Sequence, residues 1–100
     1  MDKGKERMTP LRPRGHAVYS LAPDLLLVFK PKGHREAEHT HDYRQRLRVL
    51  RGRLRVRLAH RSVTLRPSSE PVSLRVRQAH ETAALVDTWL CVEIVRVPRK

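Results

Sequence analysis

The sequence predicts an all-β protein that folds as a single antiparallel barrel or sandwich. Short runs in which apolar and polar residues alternate follow one another along the chain, as in strands that bury one face. Turn signals separate these runs at intervals of roughly 6–12 residues. The sequence shows neither an apolar stripe at the helical period of about 3.6 residues nor an internal repeat.

The chain is long enough for one small domain, because 100 residues support a single modest core. Residues 1–12 are polar and charged, so we expect a flexible N-terminal tail there and one domain over residues 13–100. No apolar run approaches the roughly 20 residues of a membrane helix, and the N-terminus lacks the apolar segment of a signal peptide. The single cysteine, Cys91, cannot form an internal disulfide. We therefore expect a cytoplasmic protein without a membrane partner.

The alternation places the strands and their buried faces. Arg51-Gly52 is a tight-turn signal, which predicts that residues 44–50 and 53–59 form a hairpin. Further strands are predicted over residues 16–20, 25–30, 62–65, 73–77, 81–85 and 88–97. The positions expected to face inward are 39, 41, 47, 49, 54, 56, 58, 90, 92 and 94.

The formal net charge of +12 comes mainly from arginine. Such a charge attracts phosphate backbones, and the predicted hairpin would gather Arg46, Arg48, Arg53, Arg55 and Arg57 on one outer face. A basic nucleic-acid-binding β protein is therefore one alternative. The composition offers a second explanation, which we favour. The chain has no asparagine and one isoleucine, which is typical of a GC-rich genome, and scarce amides with many surface charges are typical of a thermophile.

The strongest chemical signal is His39-Thr40-His41, in a segment that the alternation predicts to be extended. On a strand, residues two apart point to the same face, with Cα atoms about 6.5 Å apart. Since metal–nitrogen bonds are about 2.0–2.1 Å long, two imidazoles so placed can bind one cation. Counting on in steps of two adds Tyr43 and Gln45 to this face, and no carboxylate shares it to act as a general base. The alternative is a pair of ordinary surface histidines.

The remaining candidate groups indicate no other chemistry. His16, His34 and His60 fall near predicted strand ends or turns, so we expect them at the surface. Cys91 is expected to be a small structural residue. The sequence contains no glycine-rich phosphate loop, nucleophile elbow or CxxC pair.

The spacing around the histidine pair resembles the first motif of the cupin family. Gly33, His39, His41, Gln45 and Gly52 stand at every interval of that motif. The family usually has glutamate at the position of Gln45, but some cupins, including ones that act on unsaturated sugar acids, have a glutamine there as a metal ligand. The resemblance covers about residues 16–97 of this sequence.

The second cupin motif matches in spacing and in one residue. Aligned on His80, it places Ser69, Arg75, Arg77 and Ala84 where the family has glycine, proline, glycine and asparagine. The histidine is the residue that this chain retains.

The resemblance implies a cupin-type antiparallel β-barrel, also called a double-stranded β-helix or jelly roll. It further implies a divalent transition metal held by His39, His41, Gln45 and His80. Imidazole and amide ligands suit Zn, Ni, Fe or Mn. Because all four ligands are uncharged, the cation would keep its full charge and bind a small anionic ligand, such as a sugar acid or another carboxylate.

Further candidate ligand-binding residues lie beside this site. Tyr43 is expected to line the pocket or cap the core, and Arg75 and Arg77 to hold a carboxylate at its mouth. Plain solvent exposure is the alternative for the two arginines. Two functions remain open for the cupin interpretation: a metal-dependent enzyme, or a ligand-binding or sensing module without catalysis.

We also expect a homodimer. Small cupins usually pair, and the last predicted strand is apolar on both faces. Its outward residues Trp89, Cys91 and Val95 would leave apolar surface exposed on a monomer.

Overall fold

The computed structural model describes residues 13–96, which form nine β-strands and no helix. Every strand pair among them is antiparallel, so the predicted all-β antiparallel fold is confirmed. The predicted tail over residues 1–12 lies outside the described residues. The strands are β1 (Ala17–Ala22), β2 (Leu25–Lys30), β3 (Arg35–His39), β4 (Arg44–Arg51), β5 (Leu54–Arg57), β6 (Ser62–Leu65), β7 (Val72–Leu74), β8 (His80–Ala84) and β9 (Thr88–Val95).

Two sheets pack on each other through their inner faces. One has five strands in the order β1-β2-β9-β4-β7, and the other has four in the order β3-β8-β5-β6. The core draws on both, with Leu47, Val49 and Leu90 from the first and Leu54 and Val56 from the second. Every position predicted to face inward is buried or partly buried. Within residues 13–96, the structure contains no helix of the length and apolarity that a membrane crossing needs.

The predicted hairpin between residues 44–50 and 53–59 is wrong. Strand β4 pairs with β7 and β9 in one sheet, whereas β5 pairs with β6 and β8 in the other. The turn at Gly52 therefore carries the chain across the core from one sheet to the other. A tight-turn signal reports only that the chain reverses, and long-range pairing decides which neighbour each strand takes.

The backbone at this crossing requires glycine. Gly52 has φ of +100°, and a Cβ atom there would stand 2.7 Å from Thr88 Oγ1 and would also meet the Asp87 carbonyl oxygen. The fully buried Thr88 hydroxyl accepts a hydrogen bond from the Arg53 N–H (3.1 Å) and lies 2.7 Å from the Val86 carbonyl oxygen. This hydroxyl fixes the crossing against the start of β9.

The crossing also divides the arginines that the predicted hairpin would have gathered. Arg46 and Arg48 lie on the outer face of the five-stranded sheet, and Arg55 and Arg57 lie on that of the four-stranded sheet. Arg46 pairs with Glu93 at 2.9 Å, and Arg57 pairs with Glu81 at 3.1 Å. The positive charge is therefore spread over two opposite surfaces and is partly balanced by carboxylates.

The strand predicted over residues 73–77 is shorter than expected, because β7 ends at Leu74. The chain then turns, with the Gln78 N–H donating to the Arg75 carbonyl oxygen at 3.1 Å. Arg77 lies in this turn with φ of +62°.

We predict that Gly52→Ala destabilises the fold more than Gly33→Ala does. Both glycines have positive φ, but nothing lies within 4 Å of a Cβ built on Gly33. The backbone penalty, about 1–2 kcal/mol, applies to both variants, and the steric clash adds about 1–3 kcal/mol at Gly52 alone. Urea unfolding measures both values, and equal losses would show that the close approach at Gly52 is unimportant.

Candidate metal centre

Three histidines converge at one end of the space between the sheets. His39 ends β3 and His80 begins β8, and the two residues are direct partners in the β3–β8 register. His41 follows His39 by two residues. The ring centroids lie 4.4 Å apart for His39 and His80, 4.8 Å for His39 and His41, and 5.4 Å for His41 and His80. One nitrogen from each ring lies within 4.8 Å of those from the other two rings.

Gln45 reaches the same cavity from the opposite sheet. The sequence predicts one extended segment through His39 and Gln45, but β3 ends at His39 and β4 begins at Arg44 in the other sheet. The connection in between keeps the two-residue alternation. His39, His41 and Gln45 therefore face the cavity, although His39 and Gln45 belong to strands on opposite sides of the core and His41 lies in the connection between them.

The turn before His80 contains a residue with positive φ that is not glycine. Arg77 occupies the position where the second cupin motif has glycine, and it adopts the positive φ that glycine would supply. Its N–H donates to the His41 carbonyl oxygen at 2.7 Å. This bond ties the turn that precedes His80 to the backbone of His41, so the two imidazoles are held in one place.

Backbone carbonyls fix the tautomers of two of the rings. His39 Nδ1 lies 2.6 Å from the Ala37 carbonyl oxygen, and His80 Nδ1 lies 2.9 Å from the Gln78 carbonyl oxygen. A carbonyl oxygen can only accept, so each Nδ1 carries the proton and donates it. The lone pair of each ring is then on Nε2, which is the arrangement found in histidines that bind metals.

The surroundings favour the neutral form of the His41 and His80 imidazoles. Burial lowers the pKa of His41 below its usual value of 6.5, and the neighbouring His39 and His80 lower it further. Burial also lowers the pKa of His80, although its hydrogen bond to the Gln78 carbonyl acts in the opposite direction. A neutral imidazole is the form that coordinates a cation, so both rings are in the ligating state at neutral pH.

The histidines form the polar end of a cavity of about 160 Å³. Its opposite wall is aliphatic, with Leu26, Val28 and Val92 from the five-stranded sheet. Sites that bury drug-sized ligands usually measure about 300–1,000 Å³, so this cavity fits a smaller molecule.

Comparison with known proteins identifies the fold. No protein-family model matches the sequence, and no curated protein matches it. The structure is similar to a cupin domain of an XRE family transcriptional regulator from Enterobacter cloacae, with a TM-score of 0.72, 19% identity, and coverage of 86% of this chain and 100% of that one. The chain has the cupin fold.

Two further solved structures are similar to this chain. A cupin superfamily protein from Desulfitobacterium hafniense has a TM-score of 0.71 and 12% identity, and the match covers 89% of this chain and 85% of that one. KdgF from Halomonas sp. has a TM-score of 0.66 and 20% identity, with coverage of 94% and 90%. At these identities the likeness shows the cupin fold alone.

The cupin fold brings two charged residues into the cavity that the sequence analysis did not place there. Lys30 is 5% exposed, and its Nζ donates to Glu36 Oε1 and Thr82 Oγ1, both at 3.1 Å. The statement that no carboxylate shares the histidine face is thus wrong, since Glu36 lines the same cavity as His39.

A local irregularity explains why Glu36 was missed. Strict alternation would place Glu36 and His39, three residues apart, on opposite faces of β3. The β3–β8 register shifts between these two residues, from Glu36 opposite Thr82 to His39 opposite His80. The shift turns both side chains inward. The position of Lys30 follows from the alternation in β2, because Leu26, Val28 and Lys30 are spaced two residues apart and share one face. This alternation is hard to recognise in the sequence, since β2 is apolar on both faces.

The other predicted residues lie beside the cavity rather than in it. The ring of Tyr43 stacks on His41 with centroids 5.0 Å apart, but Tyr43 is not among the lining residues. Neither Arg75 nor Arg77 lines the cavity. The Arg77 side chain is 79% exposed and lies 3.6 Å from Asp42, whereas Arg75 lines a neighbouring cavity together with Gln45.

We predict that the metal-free protein loses stability as the pH falls below about 6.5. In the unfolded chain His41 and His80 bind protons near pH 6.5, whereas their pKa values are lowered in the folded chain. The unfolded state therefore binds more protons just below pH 6.5, and the free energy of unfolding falls there with pH. Urea unfolding in a chelator measures this slope.

Variants identify the source of that slope. His80→Gln should make the dependence of unfolding free energy on pH shallower, because it removes one of the histidines whose pKa is lowered in the folded chain. His60→Ala, which removes an exposed histidine outside the cluster, is the matched control and should keep the parent slope. An identical slope in parent and His80→Gln would contradict the assignment.

Proposed function

We propose that this chain is a metal-binding protein in which His39, His41 and His80 hold a divalent transition metal, with Gln45 as a fourth ligand. The observation that carries the proposal is the convergence of three imidazoles, two of them with Nε2 free to bind. Imidazole nitrogen and amide oxygen suit Zn, Ni, Fe or Mn.

The charge balance of the cavity favours an anionic ligand. The four proposed ligands carry no charge, and the carboxylate of Glu36 is already balanced by the Lys30 ammonium. A bound cation would therefore keep its full charge toward the open part of the cavity, where it would act as a Lewis acid on an oxygen of the ligand.

The cavity size and lining narrow the ligand class. A volume of about 160 Å³ and an aliphatic wall that includes Val28 and Val92 suit a small carboxylate with a short apolar body. A heavily hydroxylated sugar acid would leave hydroxyl groups without partners against that wall.

Two functions of such a site remain candidates. Glu36, in the cavity and partly buried, supplies the carboxylate that an enzyme would need as a general base, so a metal-dependent enzyme on a small carboxylate is the first. A non-catalytic ligand-binding or sensing module is the second. The similar domain from a transcriptional regulator is the observation that keeps the second candidate open.

A metal substitution series tests the site. We predict that His41→Ala lowers the metal bound to tag-free protein by one ion per chain, because two remaining imidazoles and an amide hold a divalent cation weakly. Gln45→Glu should retain that ion or bind it more tightly, since a carboxylate adds charge attraction. Mass spectrometry of protein reconstituted and dialysed against buffer gives the stoichiometry.

His60→Ala is the control and should leave the metal content unchanged. The proposal is wrong if His41→Ala binds as much metal as the parent. It is equally wrong if the parent binds none after reconstitution with any of the four metals.

The proposal includes a homodimer formed through the outer face of the five-stranded sheet. Apolar side chains from three strands meet on this face: the Trp89 ring lies 5.0 Å from Phe29 and 6.2 Å from Tyr19. In the next row, Leu27 stands between Tyr19 and Cys91. A second copy would cover this surface.

We predict a dimeric mass for the parent and a monomeric mass for Leu27→Arg, because a charge in the centre of a buried apolar contact is costly. Ser62→Arg adds the same charge to the outer face of the four-stranded sheet, beside Arg57, and should remain dimeric. Light scattering at micromolar concentration measures all three. A monomeric parent, or a dimeric Leu27→Arg, would contradict this interface.

A cytoplasmic location is part of the same proposal. The single cysteine, Cys91, is free and partly buried in β9, so the protein depends on no internal disulfide.

A further inference from the structure

A second cluster of metal-ligating side chains lies beside the same cavity, which two of its three members, His16 and Glu36, line. His16 precedes β1, His34 precedes β3, and Glu36 lies within β3. One ligand atom from each of these residues lies within 4.8 Å of those of the other two. None of the three belongs to the histidine motif, so this cluster is independent of the proposed first site.

His34 has a nitrogen that requires a partner. Its Nε2 is buried, and no group among residues 13–96 forms a hydrogen bond with it. The Glu36 Oε2 atom is 3.7 Å away, beyond the length of a hydrogen bond. A buried nitrogen without a hydrogen-bond partner destabilises the fold, so a group that binds between His34 Nε2 and Glu36 Oε2 would stabilise it.

His16 is the third residue of this cluster. The rings of His16 and His34 stack with centroids 4.4 Å apart and planes inclined by 27°, and one nitrogen of each lies within 4.8 Å of the other and of a Glu36 oxygen. Ligand atoms around a tetrahedral zinc ion stand about 3.3–3.5 Å apart, given bonds of about 2.0–2.1 Å. Small side-chain rotations would bring the three atoms from within 4.8 Å to that spacing.

Lys30 fixes the carboxylate for this role. Its ammonium donates to Glu36 Oε1 at 3.1 Å and is anchored by Thr82 Oγ1 at the same distance. One carboxylate oxygen is thereby occupied, and the other, Oε2, is held on the side of His34. Outer contacts of this kind orient the ligands of metal sites.

We propose that His16, His34 and Glu36 bind a second divalent transition metal ion. Two imidazoles and one carboxylate form the ligand set of zinc sites that keep a fourth position open. His16 and Glu36 line the cavity that His39 and His80 also line, so an oxygen-bearing ligand bound there would lie beside both clusters.

Zinc stoichiometry tests the proposal. Tag-free protein is stripped with chelator, dialysed against micromolar free zinc at pH 7.5, and its bound zinc is counted by mass spectrometry. The parent should bind two ions per chain, and His34→Ala one. His41→Ala should also retain one, and the double variant His34→Ala/His41→Ala should bind none.

Two variants that each remove one carboxylate charge control for loss of folding. Glu36→Gln preserves the shape of the side chain and should lower zinc affinity at the second cluster at least tenfold. Glu38→Gln removes an exposed carboxylate two residues further along β3 and should bind two ions with parent affinity. Circular dichroism of each variant confirms that the β-structure is retained.

The outcomes separate the two sites. A parent that binds one ion, lost in His41→Ala and kept in His34→Ala, overturns the second site and leaves the first intact. One ion lost in His34→Ala and kept in His41→Ala supports the second site and overturns the first. Equal zinc affinity in Glu36→Gln and Glu38→Gln also overturns the proposal, because the Glu36 carboxylate would then not be a zinc ligand.

Discussion

The structure depends on the packing of two inner faces, to which β4 and β5 contribute residues that alternate between core and solvent. Leu54 and Val56 of β5 are 0% exposed and meet Leu47 and Val49 of β4, which are 4% and 2% exposed. The arginines between these residues remain in water. A chain with a net charge of +12 can form a core this way, because the two-residue period of a strand sends Arg46 and Arg48 of β4 and Arg55 and Arg57 of β5 outward. The crossing at Gly52 then closes one sheet over the other.

The cavity begins where this aliphatic packing ends. On β4 the inward positions change from Val49 and Leu47 to Gln45, and the chain continues back to His41 and His39. Leaving the core open at this end costs apolar contacts, and two of the polar side chains there, His39 and His80, are held by hydrogen bonds to backbone carbonyls. Binding sites are commonly found at such positions, where polar side chains that converge on a cavity replace apolar core packing.

The division of the arginines between two surfaces changes the interpretation of the charge. A continuous stripe of arginines on one face would attract a nucleic-acid backbone. In the structure Arg46 and Arg57 lie on opposite outer faces, and each is paired with a glutamate. The arginines of β4 and β5 therefore do not form one continuous face. The alternation in the sequence predicts a single basic face only if β4 and β5 are hydrogen-bonded neighbours.

The sequence by itself determined the all-β class, the inward positions from Leu47 to Leu90 and the spacing of His39, His41 and Gln45, because each of these follows from a local period. Only the tertiary structure decided that β4 and β5 lie in different sheets, since strand pairing depends on contacts far apart in the chain. Only the tertiary structure brought Lys30 and Glu36 beside the histidines. The register shift in β3 that turns Glu36 inward arises from its pairing with β8, and a pattern of alternation in one strand contains no information about where its partner forces it to slip.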